Sequence, residues 1–142
     1  MSEVTFLKEV NDTNFKEEVL DQDGPTLVKF EADFCGPCKM MQVTLDQMFK
    51  KEVNDPENAL LTKFQGAKVD VTKAVETTPQ YAVKGIPTLM VIYKGKVIGL
   101  PKVGAMQEGQ ITEALSTWLA KIEEQEAEEK DEEVVDLSDE EL

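Results

Sequence analysis

The run Thr26-Leu27-Val28-Lys29-Phe30-Glu31-Ala32 leads almost directly into Cys35-Gly36-Pro37-Cys38-Lys39, from which a helical pattern continues. A strand that passes straight into a helix therefore anchors the fold, and both cysteines of the chain lie where the one becomes the other. Asp23-Gly24-Pro25 marks the break before the strand. Beyond Cys35, apolar residues recur at Met41, Leu45, Met48 and Phe49, and the pattern reaches about Val53. Pro37 falls in the first turn, where its missing N–H has no helical partner to lose.

The remaining segments alternate in the same way. Val4 to Val10 fits an edge strand, and Asp12 or Thr13 is placed to cap a helix carrying Phe15, Val19 and Leu20 on one face. Asn54-Asp55-Pro56-Glu57-Asn58 interrupts the helix after the cysteines, and Ala59 to Phe64 suggests a further helical turn. A short strand over Ala67–Val71 precedes a short helix over Thr72–Tyr81. Thr88–Tyr93 and Lys96–Leu100 flank Lys94-Gly95 as a hairpin. Ile111, Leu115, Trp118, Leu119 and Ile122 form one apolar helical face. Strands alternating with helices predict an α/β fold with a mixed central sheet and helices on both faces.

Composition narrows the chemistry. The chain has no histidine, which removes Ser-His and Cys-His nucleophile pairs, imidazole acid–base work and His-based zinc sites. Two cysteines cannot close a four-thiolate metal or iron–sulfur site within one chain, so such a site would need a dimer. They are also too few for a disulfide-stapled scaffold. At a helix N-terminus, however, unpaired N–H groups and the positive dipole end favour a thiolate. A thiolate attacks disulfides, and a second thiol three residues on can displace the product. This constellation points to thiol–disulfide exchange.

Charge is concentrated at one end. Residues 123–142 hold 12 acidic residues and one lysine, so −11 of the net −14 lies there. The expected division is a domain over residues 1–122 and an acidic, disordered tail over 123–142, because so dense a charge run buries little apolar surface. Val134-Val135-Asp136-Leu137 is the one apolar handle by which that tail would dock on a partner or on the cysteine groove. The N-terminus lacks a signal-peptide pattern and no run is long enough to span a bilayer, so the expected location is cytoplasmic. Nucleic acid is not an expected partner, since binding it requires cations.

The order of elements, Cys35-Gly36-Pro37-Cys38-Lys39, Gly85-Ile86-Pro87-Thr88 and the closing Val103-Gly104-Ala105 together resemble the thioredoxin family, over roughly residues 4–122. That resemblance implies a sheet of about five strands flanked by about four helices. It also implies a protein-disulfide reductase in which Cys35 attacks and Cys38 resolves, supported by Gly36, Pro37 and a cis Pro87. Clients would lie along Phe34, Ile86, Pro87 and Gly104, with the Ile86 backbone bonding an extended segment. Gly85 and Gly104 would keep the groove free of side chains. The dithiol would be the redox centre, with no bound cofactor or metal. Partners would be disulfide-containing proteins and a thioredoxin reductase, and the chain would act as a monomer.

Four positions depart from the family pattern. Phe34 stands where tryptophan is usual, and Val43 replaces a helix-kinking proline. The segment before Ala67 is longer, which reads as a surface insertion. Most consequentially, Lys29 occupies the place of a buried aspartate that handles the resolving thiol's proton, while Lys68 matches that aspartate's usual lysine partner. Glu31 projects from the same strand face as Lys29. It is therefore a candidate to pair with Lys29 or Lys68 and take over proton handling for Cys38; otherwise Lys29 snorkels to solvent and does nothing chemical. These departures also keep open a binding or assembly module that works through the groove and tail.

Overall fold

The computed structural model describes residues 5–141, with side chains through Lys130. Five strands form one sheet in the order β1-β3-β2-β4-β5, namely β1 (Lys8–Val10), β2 (Thr26–Glu31), β3 (Gln65–Asp70), β4 (Thr88–Tyr93) and β5 (Lys96–Val103). β1 and β2 run parallel to β3, whereas β4 is antiparallel to both β2 and β5. The helices are α1 (Gly36–Asn54), α2 (Thr77–Gln80) and α3 (Glu108–Glu141), preceded by a single π-helical turn over Lys16–Leu20. The mixed α/β architecture is the one expected.

Alternation along the central strands sorts the core into two layers. Leu27, Leu89, Val91 and Tyr93 face α1 and α3, where Met41, Leu45, Met48, Ile111, Leu115, Trp118 and Ile122 meet them. Val28, Phe30, Val69, Met90 and Ile92 face the other way, against Val10, Phe15, Val19 and Ala74. Along α1 the buried residues Cys38, Met41, Leu45 and Met48 lie three or four apart, one stripe on the sheet. The same stripe that seats the helix thus carries Cys38 inward.

Several boundaries differ from the sequence reading. β5 extends to Val103, which pairs with Thr88 and brings Gly104 beside the cysteines' end of the sheet. The helix expected over Thr72–Tyr81 shrinks to Thr77–Gln80. Asp12 does not cap the segment that follows it; Asn11 does so, its Oδ1 accepting from the Thr13 and Asn14 amides. Val4, the expected start of β1, lies outside the described residues. The longer segment after α1 folds into single 3-10 turns over Pro56–Asn58 and Leu61–Lys63. Glu52 secures it, accepting from the Leu61 and Thr62 amides at 2.8 Å each.

α3 runs on past Ile122, where the sequence reading ends the domain. Glu, Gln, Ala and Lys are good helix formers, and nothing in the segment breaks the helix. Tyr93 Oη donates to Glu126 at 3.0 Å and Lys94 pairs with Glu129 at 3.4 Å, so residues up to 129 contact the hairpin. The handle at residues 134–137 lies beyond the described side chains.

Candidate active site

β2 ends at Glu31, and two residues of loop after Ala32 bring the chain to Phe34 and the disulfide between Cys35 and Cys38. Cys35 is the N-cap of α1, with extended backbone dihedrals of φ −88° and ψ 106°. Its Sγ accepts a hydrogen bond from the Cys38 amide at 3.1 Å. The sulfur thus occupies the place of the oxygen in a Ser or Asp cap, where orphan N–H groups and the dipole favour negative charge. Gly36 opens the helix with open space at its Cβ position, and Pro37 follows within the first turn. Cys38 is 1% exposed and Cys35 7%, so the outer sulfur is the more accessible of the two.

Around the bridge, Ala32 forms a small buried cluster with Cys35 and Cys38, against which Val71 and Ile86 pack. The Ile86–Pro87 peptide bond is cis, as the resemblance implied. Pro87 O accepts from the Gly104 amide at 2.8 Å, and among the described residues the Ile86 backbone makes no hydrogen bond. Phe34 stands 77% exposed beside this groove, and Val75 and Val103 are exposed apolar residues. Gly85 avoids Val103, whose Cγ1 would lie 3.1 Å from a Cβ there. Gly104 has open space, and its requirement is instead a φ of +102°.

Beneath Cys38 lies the charged part of the site. Lys29 is 0% exposed and does not snorkel. Its Nζ donates to Glu31 Oε1 at 2.6 Å, to the carbonyl O of Cys38 at 2.8 Å and to Gln42 Oε1 at 3.3 Å. An ammonium has three N–H donors, and all are taken. Burial pulls the Lys29 pKa below the ordinary lysine value, opposed by the hydrogen bond and charge of Glu31, with nearby Lys68 pulling it down further. Lys68 sits in register beside Lys29 on β3 and therefore on the same sheet face. Among the described residues Lys68 makes no ion pair, so Glu31 pairs with Lys29. Glu31, Lys68, Cys38, Gln42 and Lys39 together line a cleft of about 180 Å³.

The expected residues therefore assemble in two groups, Cys35, Cys38, Phe34, Ile86, Pro87 and Gly104 at the groove and Lys29, Glu31 and Lys68 behind Cys38. Gln42 was not singled out from the sequence. Its signal was available, because it follows Cys38 by one helical turn and so shares its face. Its Nε2 passes the network on to Asp46 Oδ1 at 3.1 Å.

A family model described as Thioredoxin matches residues 6–121. A thioredoxin from Pseudomonas aeruginosa is 37% identical over 102 residues, covering 72% of this chain and 86% of that protein. A thioredoxin from Acidithiobacillus ferridurans is 36% identical over 110 residues, covering 78% and 94% respectively. One from Rhodospirillum rubrum is 36% identical over 107 residues, covering 75% and 94%.

Proposed function

This chain belongs to the thioredoxin family, and from that premise we infer that Cys35 is its attacking sulfur and Cys38 its resolving one. The protein is a thiol–disulfide oxidoreductase of the disulfide-reductase kind, working through a redox-active cysteine pair. The observation that carries the assignment of roles is the Cys35 sulfur at the N-cap, bonded by the Cys38 amide. In the reduced protein that position stabilises the thiolate. The thiolate attacks a client disulfide, one client sulfur leaves, and a mixed disulfide forms at Cys35. Cys38 then bonds to Cys35 Sγ, the bond from Cys35 to the client breaks, and the client departs with both of its sulfurs reduced. Two electrons have moved from the dithiol to the client, so the pair itself suffices as redox centre.

Client recognition falls to the groove of Phe34, Ile86, Pro87 and Gly104. The unengaged Ile86 backbone offers an edge for an extended client segment, and Phe34 offers apolar area. Refilling with electrons falls to a thioredoxin reductase, and the chain works as a monomer in the cytoplasm; no helix among the described residues is long and apolar enough to cross a membrane.

In a turnover assay with dithiothreitol and a disulfide-bonded protein, Cys35→Ser abolishes reduction. Cys38→Ser accumulates a client linked through Cys35, visible as a band that collapses on adding reductant. Reduction persisting in Cys35→Ser overturns this reading in favour of a binding module on the same scaffold.

A further inference from the structure

The charge that the exchange reaction leaves unexplained is the Lys29 ammonium. It is fully buried, and it grips the carbonyl O of Cys38 at 2.8 Å beneath the first turn of α1. A full positive charge is thereby added under the helix end whose dipole is already positive. In a buried setting such a charge acts on its neighbours far more strongly than one in water.

Several charged groups face this point. β2 contributes Glu31 and β3 contributes Lys68, while Asp33 lies in the loop before α1. α1 contributes Lys39 and Asp46, the latter held by Gln42 Nε2 and by the Phe6 amide at 3.4 Å. Their signs nearly balance, but their exposure does not. Lys29 alone among them is wholly out of water, whereas the Glu31 side chain remains 17% exposed at the cleft. Solvent screens the carboxylate more than the ammonium, and Lys68 adds a second positive charge on the same face.

We propose that Lys29 is a positioning residue that favours the reduced, thiolate-bearing form of the Cys35–Cys38 pair, with Glu31 setting how much of its charge the sulfurs feel. The proposal rests on the redox reading above. When the pair is reduced, two electrons enter the disulfide, its S–S bond breaks, and a partner dithiol becomes a disulfide as it releases two protons. The sulfurs retain negative charge in proportion to the stabilisation they find, and Lys29 supplies it from behind Cys38. In the opposite direction, the Cys38 thiol gives its proton to water in the cleft before its sulfur bonds to Cys35. This chain is thus made more oxidising by a charge of opposite sign to the aspartate usual at this place.

The test equilibrates the full chain with glutathione buffers and reads the fraction oxidised, alongside the pH dependence of thiol alkylation. Lys29→Met is expected to shift the exchange equilibrium about tenfold toward the disulfide, a fall of about 30 mV, and to move alkylation to higher pH. Glu31→Gln, which keeps an acceptor for the Lys29 N–H, moves both readouts the other way. The double variant falls between them. Unchanged readouts in both single variants, or shifts of the same sign, overturn the proposal. Glu31→Gln decides alone if Lys29→Met fails to fold, since a purely structural carboxylate leaves potential and alkylation unmoved. Persistent activity in Cys35→Ser instead sinks the redox reading, so the two failures are distinguishable.

Discussion

Gly104 and Lys29 differ in what they demand of the chain. At Gly104 the demand is on backbone conformation, since φ is +102° and a Cβ would meet open space. Gly104→Ala is therefore expected to cost about 1–3 kcal/mol through dihedral strain alone, read as a lower denaturant midpoint at unchanged slope. At Lys29 the demand is on partners. Glu31→Leu removes the carboxylate bonded to the buried Lys29 ammonium, and breaking such a pair costs about 3–5 kcal/mol. Chemical unfolding of the variant measures it. Much of this was legible in the sequence because the rules involved are local. The cysteine pair announces itself by spacing, and strand alternation places Lys29 and Glu31 on one face. Which partner Glu31 chooses was not legible, because Lys68 arrives through a parallel crossover. Gln42 needed the packing of α1 over β2 before its role could be seen.

Among the elements, α2 is the clearest case of a short helix held by a distant residue. Asp12 accepts from the Thr77 amide at 2.8 Å, the Thr77 hydroxyl at 2.6 Å and the Glu76 amide at 3.1 Å. Spacing alone assigns Asp12 to the helix beside it, whereas its partners come 64 and 65 residues later. The Thr77 hydroxyl bond leads the effects that hold the Asp12 carboxyl below the ordinary value of 3.8. A carboxylate with a depressed folded pKa contributes stability above the unfolded pKa and loses it as pH falls through the folded one. Protection of the α2 amides, taken as exchange relative to the intrinsic rate at each pH, is thus expected to fall below about pH 4, with Asp12→Ala showing that low protection already at neutral pH. Equal protection in wild type and variant would remove the cap from the account. β5 carries a related lesson, since its reach to Val103 depends on pairing with β4 and not on its own mixed pattern.

For the whole molecule, the expected division at residue 122 follows charge and falls inside α3. α3 continues as one helix, and Tyr93 is bonded to Glu126 beyond that division. Burial first, then that bond and the carboxylate's charge, hold the Tyr93 phenol above its ordinary value. A chain ending at Ile122 is expected to keep its fold and its disulfide exchange and to lose about 1 kcal/mol, the usual net worth of a hydrogen bond. Its Tyr93 then titrates closer to 10, measurable by absorbance. The core explains the tolerance, because Trp118 and Ile122 already close the layer against α1 and the sheet. One feature of the bridge also governs the working life of the molecule. Its cysteines are three residues apart, and the restraint a cross-link places on an unfolded chain grows with the logarithm of the loop it encloses. So small a ring restrains the unfolded chain less than a longer loop would. The molecule can therefore be loaded and unloaded over many cycles with only a modest change in its durability.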